Sequence, residues 1–288
     1  MTPLLPWLVR VVWFVQPVAL GAAVGGALGD HSDPVQLVVA SIAWSLWTVG
    51  VVAVLVPRTL GLTAIRMIAP AGLGLAAWAA LNTDDTLAGA VAVGVAAIGF
   101  VVALAPATGD LFVNGSAYGD ERRFALRPPA AVVLGPVQLV WLVVAAASLS
   151  GPLLIATQQW AVGAVATAVG LAVAGAGARS LHQLSRRWLV MVPAGVVVHD
   201  PGAVTSHLFR RSTIASMGPA PADSGALDLT AGALGLALEI QLTDTQTLEL
   251  RNRRGGRPTM VHASAVMFTP TRPGAVLEEA TARRVRVR

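Results

Sequence analysis

The sequence predicts a membrane α-helical bundle of six transmembrane helices, paired as three hairpins, followed by a C-terminal β-rich domain that ends in one helix. Three observations carry this. First, 55% of the 288 residues are hydrophobic and 12% are charged, with a mean hydropathy of +0.68, where soluble domains average roughly 25% charge. Second, six apolar runs approach the roughly 20 residues needed to cross about 30 Å of hydrocarbon. Third, beyond Arg187 the apolar runs shorten to strand length and are punctuated by turn residues.

The six runs lie at about 8–28, 35–56, 62–81, 86–106, 130–150 and 153–177, which divides the chain into a membrane domain over 1–180 and a second domain over 188–288. Arg10 follows Leu4–Val9 instead of preceding the first apolar run, so that run reads as a retained span and not as a cleaved secretory signal. Charged residues are confined to the breaks, apart from Arg10 and Arg66 near span ends, where a long arginine stem reaches the headgroups.

The flanks sort by sign. The breaks at 29–34 and 82–85 hold Asp30, Asp33, Asp84 and Asp85 and no arginine, and Ser150-Gly151-Pro152 is uncharged. The alternate breaks hold Arg10, Arg58, Arg66, Arg122, Arg123, Arg127, Arg179, Arg186 and Arg187. By the positive-inside rule the expected residence is the inner membrane, with both termini cytoplasmic. The outer connections are short enough to join only antiparallel neighbours, which gives the three hairpins. The longer inner connection, Ala107–Pro129, ends in Pro128-Pro129, which stops a helix from running into span five.

In the second domain, strands are expected at Trp188–Val192, Val196–His199, Val204–Phe209, Thr213–Met217, Leu236–Leu242, Thr247–Arg251 and Thr259–Phe268. Thr243–Gln246 reads as a hairpin turn between the fifth and sixth of these. Leu227–Leu234 fits either a membrane-facing loop or a small helix, and Pro273-Gly274 opens a terminal helix over about Ala275–Arg284. Seven short strands closed by one helix resemble the order of a pleckstrin-homology-like (PH-like) domain. The segment 118–124 (Tyr-Gly-Asp-Glu-Arg-Arg-Phe) is similar to that of multi-pass membrane proteins of actinobacteria with a cytoplasmic PH-like tail. So are Phe268–Gly274 and Glu279–Arg284. The resemblance implies an architecture and brings no catalytic residue.

Candidate sites follow from chemistry. Gly21, Gly25 and Gly29 recur every fourth residue and form a flat stripe, suited to static helix packing or to an oligomerising face. Trp44, Trp47 and Trp141 lie at mid-depth, where indoles either fill space or line a cavity for an apolar ligand. The intramembrane polar residues Gln16, Gln36, Gln138, Thr48 and Ser148 are not ionisable, which argues against an ion-coupled carrier. Asp30, His31, Asp33, Asp84 and Asp85 cluster without a ligand spacing and fit helix caps better than a cation site. All 20 basic residues are arginine. Arg251, Arg253, Arg254 and Arg257 crowd one loop, and Arg283, Arg284, Arg286 and Arg288 crowd the tail. Against an anionic leaflet each is worth about 1 kcal/mol.

No Gly-x-Ser-x-Gly, His-Glu-x-x-His or phosphate-loop pattern occurs, and zero cysteines exclude thiol chemistry. A net charge of +5 is weak support for nucleic acid, so none is expected as a partner, and neither is a cofactor or metal. The expectation is a non-enzymatic scaffold or regulator whose second domain binds membrane lipid or a protein partner. The alternative is a facilitator or flippase-like transporter of an apolar or lipid substrate.

Overall fold

A computed structural model describes residues 4–251 and 257–288. Six helices are long and apolar enough to span a bilayer: α1 (Leu5–Leu28), α2 (Asp33–Leu55), α3 (Thr59–Asn82), α4 (Thr86–Leu104), the pair α6 (Ala130–Val133) and α7 (Pro136–Ala156), and α8 (Trp160–Leu184). Large apolar side chains such as Val18, Leu37, Leu81 and Leu87 stand 68–86% exposed on their outer faces. Water does not tolerate such surface, and lipid does.

Within the helical unit the closest seam is built from alanine. Ala23 and Ala27 of α1 pack with Ala76 and Ala79 of α3 and with Ala92 and Ala96 of α4. Nearly three turns before Ala23, Trp13 lies on Gly50 of α2, where a Cβ would come within 2.0 Å of the indole ring. Each tryptophan of this contact donates its indole N–H to the other's backbone carbonyl, Trp13 to Trp47 at 3.2 Å and Trp47 to Trp13 at 3.0 Å. The Trp13 carbonyl is open because its helical partner four residues on is Pro17, which has no N–H.

The C-terminal end of span five differs from its expected position. Helix α7 runs straight through Ser150-Gly151-Pro152, and the connection is 157–159. Gly151 serves close approach, since a Cβ there would sit 2.3 Å from the Thr167 hydroxyl of α8, and Gly163, Gly170 and Gly177 of α8 repeat that tightness every seventh residue. The helix ends instead in a Schellman motif. Gln158 takes φ 65°, Gln159 N–H donates to the Leu154 carbonyl at 2.9 Å, and Gln158 N–H donates to the Ile155 carbonyl at 3.0 Å.

The second unit is an eight-stranded mixed sheet. Its strands are β1 (Arg122–Ala125), β2 (Trp188–Val192), β3 (Gly195–Asp200), β4 (Val204–Arg210), β5 (Ile214–Pro219), β6 (Leu227–Asp228), β7 (Leu238–Leu250) and β8 (Thr259–Phe268), followed by α9 (Pro273–Ala282). The path is β1-β2-β3-β4-β7-β8-β6, with β5 pairing β7 off it. Two strands lie outside the sequence expectation. β1 comes from the connection between spans four and five, which also forms the short helix α5 (Pro106–Asn114), and pairs antiparallel with β2 in the register Phe124↔Leu189. β6 comes from the ambiguous stretch after Ala226 and runs parallel to β8. The sheet unit therefore comprises 113–137 together with 183–288.

The expected hairpin at Thr243–Gln246 is absent. β7 is one strand whose two halves both pair with β8, Ile240↔Val266 before the irregularity and Leu248↔Val261 after it. Between Gln241↔Ala265 and Gln246↔Ala263 it carries extra residues, and the exposed Thr243, Asp244 and Thr245 bulge outward. The bulge lets the first half take β5 as its other neighbour and the second half meet β4 at Val204↔Leu250. Alternation points Leu189, Met191, Val196, Val198, Phe209, Ile240, Leu248, Val266 and Phe268 into one core, where Val276 and Ala280 of α9 complete it.

Candidate functional site

The basic residues of the sheet unit divide between its two ends. At one end the turn after β3 is fixed by an ion pair buried on both sides, Arg187 to Asp200 at 2.7 Å. Arg187 also donates to the Arg127 carbonyl at 2.9 Å, and Asp200 accepts the Gly202 N–H at 3.2 Å. Both carboxylate oxygens of Asp200 are engaged, and removing one partner of such a buried pair strands the other charge. Arg187 is thus part of the fold.

Around this turn Trp188 stacks on His199 with ring centroids 4.6 Å apart, and the Arg123 guanidinium lies 5.7 Å from the Trp188 ring. Arg251 is held by its N–H to the Ala203 carbonyl at 2.9 Å, and its guanidinium reaches the Pro201 carbonyl at 3.4 Å. Burial holds the His199 imidazolium below its ordinary value, and the charges of Arg186, Arg123 and Arg251 lower it further against the opposing Asp200. Arg123 over Trp188 and Arg251 on the Pro201 carbonyl thus flank the turn that carries His199, with Arg186 within electrostatic reach. Arg257 is exposed beyond them; Arg253 and Arg254 fall outside the described residues.

The other end is built from the Pro193-Ala194 turn, the 3₁₀ turn Arg211–Thr213 and the segment after α9. Gly195 makes the turn feasible, because a Cβ there would lie 2.0 Å from the Phe209 carbonyl oxygen. The Arg211 N–H donates to the Ala194 carbonyl at 2.8 Å. Arg283 is held by Glu279 at 2.7 Å and donates to the Asp120 carbonyl, and Arg123 pairs with Glu121, whose carboxyl it keeps below the usual range. Arg288 pairs with the buried Glu239 at 2.9 Å, while its N–H and that of Met217 tie the tail to β5. Arg284 and Arg211 make no side-chain bond to any described residue, and both line one open cleft with Pro193, Ala194 and Ser212. β4, with Val204 at one end and Arg210 at the other, separates the two ends by about 20 Å at roughly 3.3 Å per residue.

The structure therefore does not gather the sequence-proposed arginines into one patch. Arg251 and Arg257 belong to one end, Arg283 and Arg284 to the other, and Arg283 is engaged in the fold. Sequence reasoning missed Arg186, Arg211 and Arg122. The Arg210-Arg211 doublet at a strand end was the available signal.

In the helical unit Trp44 is 56% exposed and meets Trp47 edge-on at 5.3 Å, whereas Trp141 donates to the Met67 carbonyl of α3 at 2.9 Å. Trp47 and Trp141 act as interhelical clamps. Gly21 and Gly25 have no atom of another element within 4 Å of a Cβ position, and Gly29 meets only its own helix. Among the acids at the breaks after α1 and α3, Asp85 caps α4 by accepting the Ala88 N–H at 2.9 Å, and Asp33 sits in the first turn of α2. Among the described residues no group of three His, Cys, Asp or Glu side chains could hold a metal. A Thr63 hydroxyl lies 2.8 Å from His182 Nδ1, joining α3 to α8, and Thr108 and Asp110 of α5 are buried.

No protein-family model matches this chain, and comparisons with curated proteins and with solved structures give no significant match.

Proposed function

We propose that this chain is a multi-pass protein of the inner membrane with both termini in the cytoplasm. It acts as a non-enzymatic scaffold or regulator whose sheet unit docks on anionic lipid headgroups. The observation that carries the docking is the placing of Arg123 and Arg251 on either side of the turn that bears the stacked Trp188 and His199, with Arg186 in electrostatic reach and Arg257 exposed. Arg123 is paired with Glu121 and Asp200 with Arg187, so Arg186, Arg251 and Arg257 leave the turn with a net positive potential, and an anionic leaflet lowers its cost. The sorting of Arg10, Arg58, Arg66, Arg122, Arg123, Arg127, Arg179, Arg186 and Arg187 away from the acidic connections supports the orientation. A transport path finds no support in the tryptophans, since Trp47 and Trp141 spend their N–H groups on neighbouring helices.

The loop that begins at Arg251 contains four arginines, of which Arg251, Arg253 and Arg254 are trypsin sites and Arg257, followed by Pro258, is not. The test uses the full chain in nanodiscs of zwitterionic lipid, with or without about 30% anionic lipid. Anionic lipid should slow tryptic cleavage at this loop several-fold at low salt, while cleavage at Arg286 serves as the internal control. The protection should vanish in 0.5 M salt, where screening shortens to a few ångströms, and in the R251E/R257E variant. Equal cleavage rates in both lipids would overturn the docking.

A further inference from the structure

We propose that the cleft between Pro193-Ala194, Arg211-Ser212 and Arg284 is a binding site for a phosphoryl oxyanion, distinct from the docking end and independent of it. Arg211 and Arg284 face this cleft from two different segments, and no carboxylate lines it. An adjoining cleft shares Pro193 and Arg211 and adds Arg122, whose Nε is buried without a hydrogen-bond partner among the described residues, alongside Asp120. Of the acids lining the adjoining cleft, Glu279 is committed to Arg283 and Glu121 to Arg123, which leaves Asp120 as the one carboxylate there without an ion pair among the described residues. Unpaired guanidiniums sharing one depression repel each other, and a multiply charged oxyanion reverses the sign of that interaction. Guanidinium forks match phosphoryl oxygens in pairs, and the Ser212 hydroxyl offers a further donor. The lining holds no large apolar side chain, so the recognised part is the charged group alone.

A second observation points the same way. Arg284 holds φ +59° at the C′ position of a Schellman motif ending α9, with Arg284 N–H to the Thr281 carbonyl at 3.0 Å and Val285 N–H to the Ala280 carbonyl at 2.9 Å. Glycine suits that conformation best, and an arginine there carries strain. Glycine would serve this helix end as well, so the arginine at 284 is not required for the end of α9.

This difference makes the test discriminating. The full chain in zwitterionic nanodiscs is titrated with inorganic pyrophosphate by calorimetry at low salt. Saturable binding should weaken at least tenfold in R211A and in R284G, while R284G raises the thermal midpoint of the sheet unit. R251A should leave the affinity within twofold, which separates this site from the docking end. A second arm repeats the titration in nanodiscs containing phosphatidic acid: unchanged pyrophosphate binding identifies a soluble ligand, and competition identifies the lipid headgroup, both through the same guanidiniums. Absence of saturable binding in wild type, or an R284G affinity equal to wild type, would overturn the proposal.

Discussion

At the scale of single residues, the helical unit is specified by a few polar atoms that lipid cannot satisfy. Pro17 leaves the Trp13 carbonyl without its helical donor, and the Trp47 indole supplies the missing bond at 3.0 Å. A carbonyl orphaned in an apolar interior costs about 1–3 kcal/mol. Trp47→Phe should therefore lower stability by about 1–2 kcal/mol, read as reduced resistance to denaturant in detergent micelles. The same substitution on a Pro17→Ala background should cost clearly less, because residue 17 then donates its own N–H. Equal losses on both backgrounds would show that ring volume, and not the hydrogen bond, is what matters. Neither Pro17 nor Trp47 announces this partnership in sequence, since 34 residues separate Trp13 from Trp47 and helix packing alone joins them.

Elements were legible where their signal is local. Six apolar runs became six spans, and Trp188–Val192 and Thr259–Phe268 stand at their expected bounds, because hydrophobic length and alternation are read within the segment itself. Ser150-Gly151-Pro152 misled because glycine and proline break helices in water, whereas a packed membrane helix uses glycine for contact and carries proline. β1 was illegible for the opposite reason. Arg-Arg-Phe-Ala is too short and too charged to read as a strand, and it becomes one only beside β2, more than 60 residues further on. Its Phe124 is 3% exposed within the core of the sheet unit. Phe124→Ala should accordingly destabilise the C-terminal sheet by about 3–5 kcal/mol, although it lies in a connection between two spans. Hydrogen exchange would show it as faster exchange in β2 with the α1–α4 amides unchanged. Unaltered β2 protection would mean that β1 is dispensable. A fragment beginning at Trp188 lacks this strand, so binding tests belong on the full chain.

On the scale of the whole molecule, charge distribution decides more than any motif. Asp30, Asp84 and Asp85 lie in the connections after α1 and α3 and Asp33 opens α2, while the arginines flank the alternate ends. Moving an arginine across the bilayer centre costs several kcal/mol, so nine of them on one side bias insertion strongly. The absence of cysteine makes this directly measurable without background. Single substitutions Ser32→Cys and Asp84→Cys should react with a membrane-impermeant maleimide on intact cells. Ala220→Cys and Arg286→Cys should react only after lysis. Ser32 and Asp84 flank helix starts with exposed side chains, Arg286 is exposed in the sheet unit and Ala220 is half-buried there, so Arg286 is the reporter least affected by packing on that side. Labelling of residue 286 on intact cells would invert the orientation and remove the anionic cytoplasmic leaflet from reach of Arg251. The lipid-docking reading would then fall, whereas the oxyanion cleft would stand on its own guanidiniums and would need a ligand from outside the cell.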